Sequence, residues 1–90
     1  MPLHLTLTIV TQEKELLKQD IDQLTAPTTS GEITVLPNHI PLFTQLQHGV
    51  LRFKVEGKDT YVVITGGFMD VSPNNMITVL ANSASFERDA

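Results

Sequence analysis

The sequence predicts an all-β domain, an antiparallel sandwich or barrel, and three observations predict it. Leu3 to Val10 alternates strictly, with Leu3, Leu5, Leu7 and Ile9 on one side and His4, Thr6, Thr8 and Val10 on the other, which is the period of a half-buried strand. The run Thr60-Tyr61-Val62-Val63-Ile64-Thr65 is rich in β-branched and aromatic residues, which favour a pleated surface. Turn-forming residues recur every several positions, so that the strands are short and each sheet buries one alternating face.

The elements follow in order. After the first strand, Glu13 to Leu24 resists the pattern. Leu17, Ile21 and Leu24 have helical spacing, the residues are good helix formers, and Thr11 stands where a helix cap would. Taken alone this stretch reads as a helix, yet Ile21, Gln23 and Thr25 against Asp22, Leu24 and Ala26 also make a strand, and periodicity over so short a run leaves both open. Glu32 to Leu36 is a strand stopped by Pro37, and Pro41 follows so closely that Asn38-His39-Ile40 is a constrained, extended loop. Strand character returns at Leu42 to Leu46 and ends at His48-Gly49. Val50 to Val55, the turn Glu56-Gly57-Lys58-Asp59 and Thr60 to Thr65 form a hairpin. Phe68 to Val71, the turn Ser72-Pro73-Asn74-Asn75 and Met76 to Leu80 form a second. The stretch from Asn82 to Ala90 is polar and reads as a loosely held tail, so the domain is assigned to 1–83 and the tail to 84–90.

Composition narrows the function. Ninety residues make one small domain that buries roughly 60–65% of its unfolded surface. Charged residues are 18% and apolar residues 41%, which suits a folded chain rather than a disordered one. Six basic side chains against ten acidic ones leave a net charge of −4, without the basic footprint of a nucleic-acid binder. There is no cysteine, so disulfides, thiolate metal sites and cysteine nucleophiles are excluded together. No apolar run approaches the roughly 18 residues of a membrane helix, and the start lacks the pattern of a signal peptide; a soluble intracellular protein is the expectation.

Chemistry-bearing constellations are sparse. His4, His39 and His48 show no zinc-site spacing and read as surface or loop histidines. Asp20 and Asp22 fall on one face of a strand and read as a charged edge that blocks aggregation. No serine occupies a nucleophile elbow. No catalytic residue, metal site or cofactor is expected. Thr65-Gly66-Gly67-Phe68 lacks the lysine and helix start of a phosphate cradle; it is a bulge or bend, or a place where another backbone approaches closely. Ser30 to Leu42 is the most informative stretch, because two prolines stiffen an exposed loop and a stiff loop loses less entropy on docking. A rigid corner between sheets explains the same residues equally well.

These residues resemble a known family, the epsilon subunit of F-type ATP synthases, called delta in mitochondria. The resemblance rests on Leu3-His4-Leu5, Gly31-Glu32-Ile33-Thr34-Val35-Leu36-Pro37-Asn38-His39-Ile40-Pro41-Leu42, Gly49-Val50-Leu51-Arg52, Gly66-Gly67-Phe68-Met69-Asp70-Val71 and Ile77-Thr78-Val79-Leu80-Ala81, in family order over nearly the whole chain. It implies an N-terminal sandwich of about ten strands in two sheets, with the stretch from Leu16 to Ala26 as strand. It also implies a non-catalytic rotor subunit in the central stalk of a proton-translocating synthase, coupling the c-ring to the gamma subunit and through it to the alpha/beta head. Such a subunit is peripheral on the cytoplasmic side of the bacterial inner membrane, and touches the membrane only indirectly.

Carried over by position, Ser30, Gly31 and Glu32 match the contact with the c-ring, and His39, Pro41, Leu42, Thr65, Gly66 and Gly67 match the contact with gamma. The position of Ser30 is often acidic in the family, so less charge is expected at this ring contact. The helical hairpin usual after the sandwich has no counterpart in these ninety residues, so neither ATP binding nor inhibition by helix extension is expected of this polypeptide. The competing class is a free-standing module for a small ligand or glycan, for which Tyr61 is the one amphipathic aromatic platform; a small hydrolase ranks last.

Overall fold

A computed structural model describes residues 4–86. Eight strands form β1 (Leu5–Val10), β2 (Glu15–Ile21), β3 (Gln23–Thr28), β4 (Gly31–Val35), β5 (Leu42–Val55), β6 (Lys58–Ser72), β7 (Met76–Ala81) and β8 (Ala84–Phe86). Hydrogen bonding runs in the order β2-β1-β7-β6-β5-β3-β4, with β8 also paired to β6. All pairings are antiparallel except β1 with β7. The all-β expectation therefore holds. The count of about ten is met by eight strands, because β5 and β6, of 14 and 15 residues, each serve two layers.

The layers follow from the pairings. β6 is flanked along Gly67 to Ser72 by β7 and the first part of β5. Along Val62 to Ile64 it is flanked by β8 and the second part of β5, which in turn leads through β3 to β4. One continuous sheet thus folds over on itself.

The buried positions change phase where it folds. In β6 they run Val62, Ile64, Gly66 and then Gly67, Met69, Val71; in β5 they pass from Leu46 to Leu51 and Phe53. From β7 to β8 they pass from Ile77, Val79 and Ala81 to the half-buried Ala84. A strand keeps alternate residues on one face, so a crossing from one layer to the other must insert a phase change if both halves are to face one core. That core holds Leu5, Leu7, Ile9, Leu24, Leu51, Phe53, Ile64, Met69, Ile77 and Val79, each at most 2% exposed. Burying a side chain such as Phe53 contributes about 2–3 kcal/mol.

The fold departs from the sequence expectations at four places. The helical reading of Glu13 to Leu24 is overturned in favour of β2 and β3, as the resemblance implied. Thr11 Oγ1 does accept the backbone N–H groups of Glu13 and Lys14, as a cap would. The chain then returns through the Thr11 N–H to Lys14 carbonyl bond into a strand paired with β1, so cross-strand pairing outweighs local propensity. Secondly, no break separates Leu46 from Val50 or Thr65 from Phe68, since β5 and β6 run through both. Thirdly, Ala84–Phe86, assigned to the tail, form β8 against Val62–Ile64; 87–90 lie outside the described residues, as does Leu3. Finally, Asp20 and Asp22 do not share a strand face. Asp20 is on β2, whereas Asp22 lies between β2 and β3, with its carboxylate accepting the Gly57 N–H of the β5–β6 turn at 3.0 Å.

Gly67 decides the crossing. Its φ is 145°, and a Cβ there would lie 2.0 Å from the Leu80 carbonyl oxygen and 2.9 Å from the Ala81 Cα. Of the two explanations open for this glycine pair, close approach of a backbone is realised, and the backbone belongs to β7 of the same chain. Gly31 shares a positive φ of 117° but has nothing within 4 Å of its virtual Cβ. Gly67→Ala is therefore expected to cost about 3 kcal/mol or more, a steric clash added to backbone strain, and Gly31→Ala about 1–2 kcal/mol from backbone strain alone. Urea denaturation of the two variants checks this; equal midpoints would contradict a steric role for Gly67.

Candidate functional site

Two loops stand at opposite ends of β4. The first is the β3–β4 turn, with Ser30 in the turn and Gly31 and Glu32 opening β4, all exposed. It is held from below by Thr28, a residue the sequence reading did not single out. Thr28 is 2% exposed; its hydroxyl donates to the Gly31 carbonyl and accepts the Ser30 N–H at 3.2 Å. A buried hydroxyl that both donates and accepts costs little to bury and leaves the turn one conformation. Thr25, 3% exposed, meets Thr34 hydroxyl to hydroxyl at 3.1 Å across the same pair of strands. The signal available in the sequence was the pair of threonines bracketing Ala26-Pro27, which a purely apolar core would not place there.

The second loop connects β4 to β5, roughly 15 Å away along five residues of strand. Pro37 and Asn38 form the centre of a turn closed by the His39 N–H to Leu36 carbonyl bond at 3.1 Å, and Asn38 has a φ of 68°. Proline followed by a residue in the left-handed region is the signature of a type II turn. His39 Nδ1 lies 2.7 Å from the Ile40 carbonyl. Since a carbonyl only accepts, this nitrogen is the donor of the bond. Around it, Leu36 and Ile40 are 51% and 75% exposed, and Pro41 is exposed while His39 and Leu42 are half-buried.

The remaining expected site residues fall elsewhere. Thr65 is exposed, but Gly66 and Gly67 are buried, engaged with Asn82 and Ser83 through the Asn82 N–H to Gly66 carbonyl bond at 2.9 Å and the Thr65–Ser83 hydroxyl pair at 3.0 Å. Leu42 pairs with Val71, six residues along β6 from Thr65, so the two expected segments are separated by roughly 20 Å. What joins them was missed by the sequence reading. Phe43 and Phe68 stack with ring centroids 5.6 Å apart and planes within 10°, and they remain 67% and 44% exposed. Phe68 pairs across strands with Leu80, 52% exposed, which pairs in turn with Val10. Beside them lies a concavity of about 250 Å³ lined by Val10, Thr11, Gln12, Phe68, Leu80 and Asn82. A stripe of exposed apolar side chains is the mark of an interaction surface.

A shallow groove of about 250 Å³ is lined by Glu32, Val50, Arg52 and Tyr61, so the one tyrosine lies beside the first loop. Among the described residues no group of three His, Asp or Glu side chains could hold a metal ion. Among the described residues, Lys54 and Asp59 form a surface ion pair at 3.0 Å, and His4 Nε2 lies 3.5 Å from the Asp20 carboxylate.

With this geometry in view, comparison with known proteins decides the family. Residues 4–87 match the family described as "ATP synthase, Delta/Epsilon chain, beta-sandwich domain". The chain belongs to that family. Among curated relatives, the ATP synthase epsilon chain of Pelotomaculum thermopropionicum is 51% identical over 78 residues, covering 87% of this chain and 58% of the relative. The epsilon chain of Bdellovibrio bacteriovorus is 40% identical over 90 residues, covering 97% of this chain and 64% of the relative. The chain thus spans about six-tenths of the length of these relatives. A chain in the Euglena gracilis mitochondrial ATP synthase, in a structure of OSCP, F1 and the c-ring, superposes with a TM-score of 0.90 at 30% identity, covering 99% of this chain and 58% of that one. One in the central stalk and c-ring of the Tetrahymena thermophila synthase superposes with a TM-score of 0.77 at 21% identity, covering 90% and 65%, and this shows the shared fold.

The buried hydroxyl of Thr28 makes a local prediction. Thr28→Val removes both of its bonds while keeping the shape, and is expected to destabilise the domain by about 1–3 kcal/mol, whereas Thr29→Val at the exposed neighbouring position is expected to stay within about 0.5 kcal/mol. Thermal unfolding of both variants is the check.

Proposed function

We propose that this family member is a non-catalytic rotor subunit of a proton-translocating F-type ATP synthase, coupling rotation of the c-ring to the gamma subunit. The observation that carries the reading is the apolar stripe of Phe43, Phe68 and Leu80. It lies between two segments that the family pattern associates with gamma, His39-Pro41-Leu42 and Thr65, with the Leu42 side chain itself packed on the core beneath. Gly66 and Gly67 act beneath that face rather than on it: by bringing β6 against β7 they turn Phe68 outward. A stripe that crosses the three neighbouring strands β5, β6 and β7, about 10 Å, fits within a standard interface of about 800 Å² per partner, and its stacked aromatics are the anchors such interfaces use.

The ring contact belongs to the opposite end of β4. Ser30, Gly31 and Glu32 project on a turn stiffened by Thr28, and the Glu32 carboxylate is exposed to meet basic or amide groups of a polar loop. The groove at Tyr61 shares Glu32, so it extends this contact rather than forming a separate ligand site. The subunit then sits at the cytoplasmic side of the bacterial inner membrane, held there through the ring, while catalysis takes place on the alpha and beta subunits reached through gamma.

A coupler needs stiffness and two faces rather than a pocket. The sheet supplies the first, because neighbouring strands share hydrogen bonds from β2 to β4 and no buried side-chain polar atom among the described residues lacks a partner. Co-elution with an alpha–beta–gamma complex lacking its own epsilon subunit tests the assignment. Wild type is expected to co-elute, and Phe68→Ser to bind at least tenfold more weakly with an unchanged fold. Glu32→Lys is expected to keep gamma binding while lowering coupled proton pumping in reconstituted vesicles. Wild-type protein eluting alone would overturn the rotor reading, and full coupling by Glu32→Lys would overturn the role of that residue.

A further inference from the structure

Building on the reading of the β4–β5 loop as a gamma-facing element, we infer that Asn75 is its positioning residue. The hydrogen bonds made by the loop divide into two kinds. The Leu36–His39 turn bond and the His39 Nδ1 bond to the Ile40 carbonyl are internal: they shape the loop but do not orient it on the sandwich. Among the described residues, the hydrogen bonds that leave the segment between β4 and β5 all end on Asn75, in the β6–β7 turn. Its Oδ1 accepts the Asn38 backbone N–H at 2.6 Å, and its Nδ2 faces the Asn38 Oδ1 at 3.5 Å. The orientation of the amide is dictated by the first bond, since a backbone N–H needs an acceptor.

Asn75 is itself anchored. Its backbone carbonyl accepts the Thr6 N–H at 2.8 Å, and Thr6 stands in β1 between the buried Leu5 and Leu7. The side chain reaches the loop because Asn75 adopts a φ of 61°, as Asn74 does at 72° and Asn38 at 68°, and asparagine is the residue with a Cβ that best tolerates this region. A short chain of bonds thus runs from the core strand through Asn75 to the tip of a loop whose Leu36 and Ile40 are otherwise open to solvent. Apolar side chains held in one place before a partner arrives lose less entropy on docking, and this is the task of Asn75 here: it holds the loop and touches no partner.

Three variants of the full chain separate this role from a merely structural one. Asn75→Gly removes both side-chain bonds, keeps the backbone carbonyl for Thr6 and accepts the positive φ without strain. Asn75→Asp keeps an acceptor for the Asn38 N–H, and the Asn38 amide can turn its Nδ2 toward the second carboxylate oxygen. Pro73→Ala alters the same turn without touching the clamp. In Asn75→Gly the Asn38 amide is expected to exchange with solvent at least tenfold faster by NMR hydrogen exchange, while exchange at Leu7 and Met69 is unchanged. Affinity for the gamma-containing complex is expected to fall about fivefold, with Asn75→Asp and Pro73→Ala staying within twofold of wild type. Unchanged exchange at Asn38 in Asn75→Gly would overturn the clamp. Faster exchange with undiminished affinity would overturn the positioning role. Faster exchange together with a wild-type chain that fails to bind gamma would uphold the clamp and overturn the reading of the loop as gamma-facing, so the two failures are distinguishable.

Discussion

The approach of β6 to β7 at Gly67 is the constraint on which the rest of the molecule depends. With the Leu80 carbonyl 2.0 Å from where a Cβ would stand, the two backbones meet at a separation no side chain permits, and the sheet can fold over at that level. β5, β6 and the passage from β7 to β8 change phase there together, as continuity of the sheet requires: if β6 changed phase alone, its pairs with its neighbours would face opposite ways. The same phase change brings Phe68 out. With Ile64 inward, an uninterrupted alternation would have buried Phe68 and exposed Met69; the structure has Phe68 44% exposed and Met69 fully buried. The apolar face proposed to meet gamma is therefore a product of the same backbone feature that closes the core.

This arrangement suits a part that transmits force. Under the proposed ring contact, load entering at the β3–β4 turn would pass through hydrogen bonds from β4 to β3, to β5 and to β6, since each is bonded to the next. It crosses to the other layer within β5 and β6 rather than through a loop. Exposed edges are the usual weakness of an open sheet. Here β2 carries Glu15, Lys18 and Asp20 outward, β4 is five residues long with Glu32 and Thr34 exposed, and β8, bonded only to β6, has three residues, so none of these edges offers a long apolar template to another chain.

Much of the fold was legible in the sequence, and the failures share a cause. Period-two runs located β1, both hairpins and the strand before Pro37, because each buries one face and local alternation records that directly. The stretch from Glu13 to Leu24 was ambiguous since its helical spacing is real and its Thr11 cap does bind the next N–H groups; what decides against a helix is pairing with β1, information held by residues outside the window. The long strands were read as broken at His48-Gly49 and Gly66-Gly67 for a similar reason: a phase change in the alternation looks locally like an end, and only the neighbouring strand shows that pairing continues through it.

The candidate site divides along the same line. Pro37 and Pro41 announced a stiff loop, and the resemblance pointed to Glu32 and His39, because these features are written in contiguous residues. The Phe43–Phe68 stack and Asn75 were missed, since each acquires its role from a partner distant in the chain; Thr28 bonds only to Ser30 and Gly31, and what hid it is its burial, which the local sequence does not record. Asn75 is the clearest case. In sequence it is one of two asparagines in a turn, and either would be explained by turn chemistry alone. Its side chain meets Asn38, 37 residues away, only after β6 and β7 have formed and placed that turn beside the end of β4. Stiffness of a loop can be written locally, in its prolines; direction cannot, because a direction is defined relative to the rest of the fold. A protein that works by presenting surfaces needs both, so the residues that aim a loop are found in whatever element happens to pass beside it.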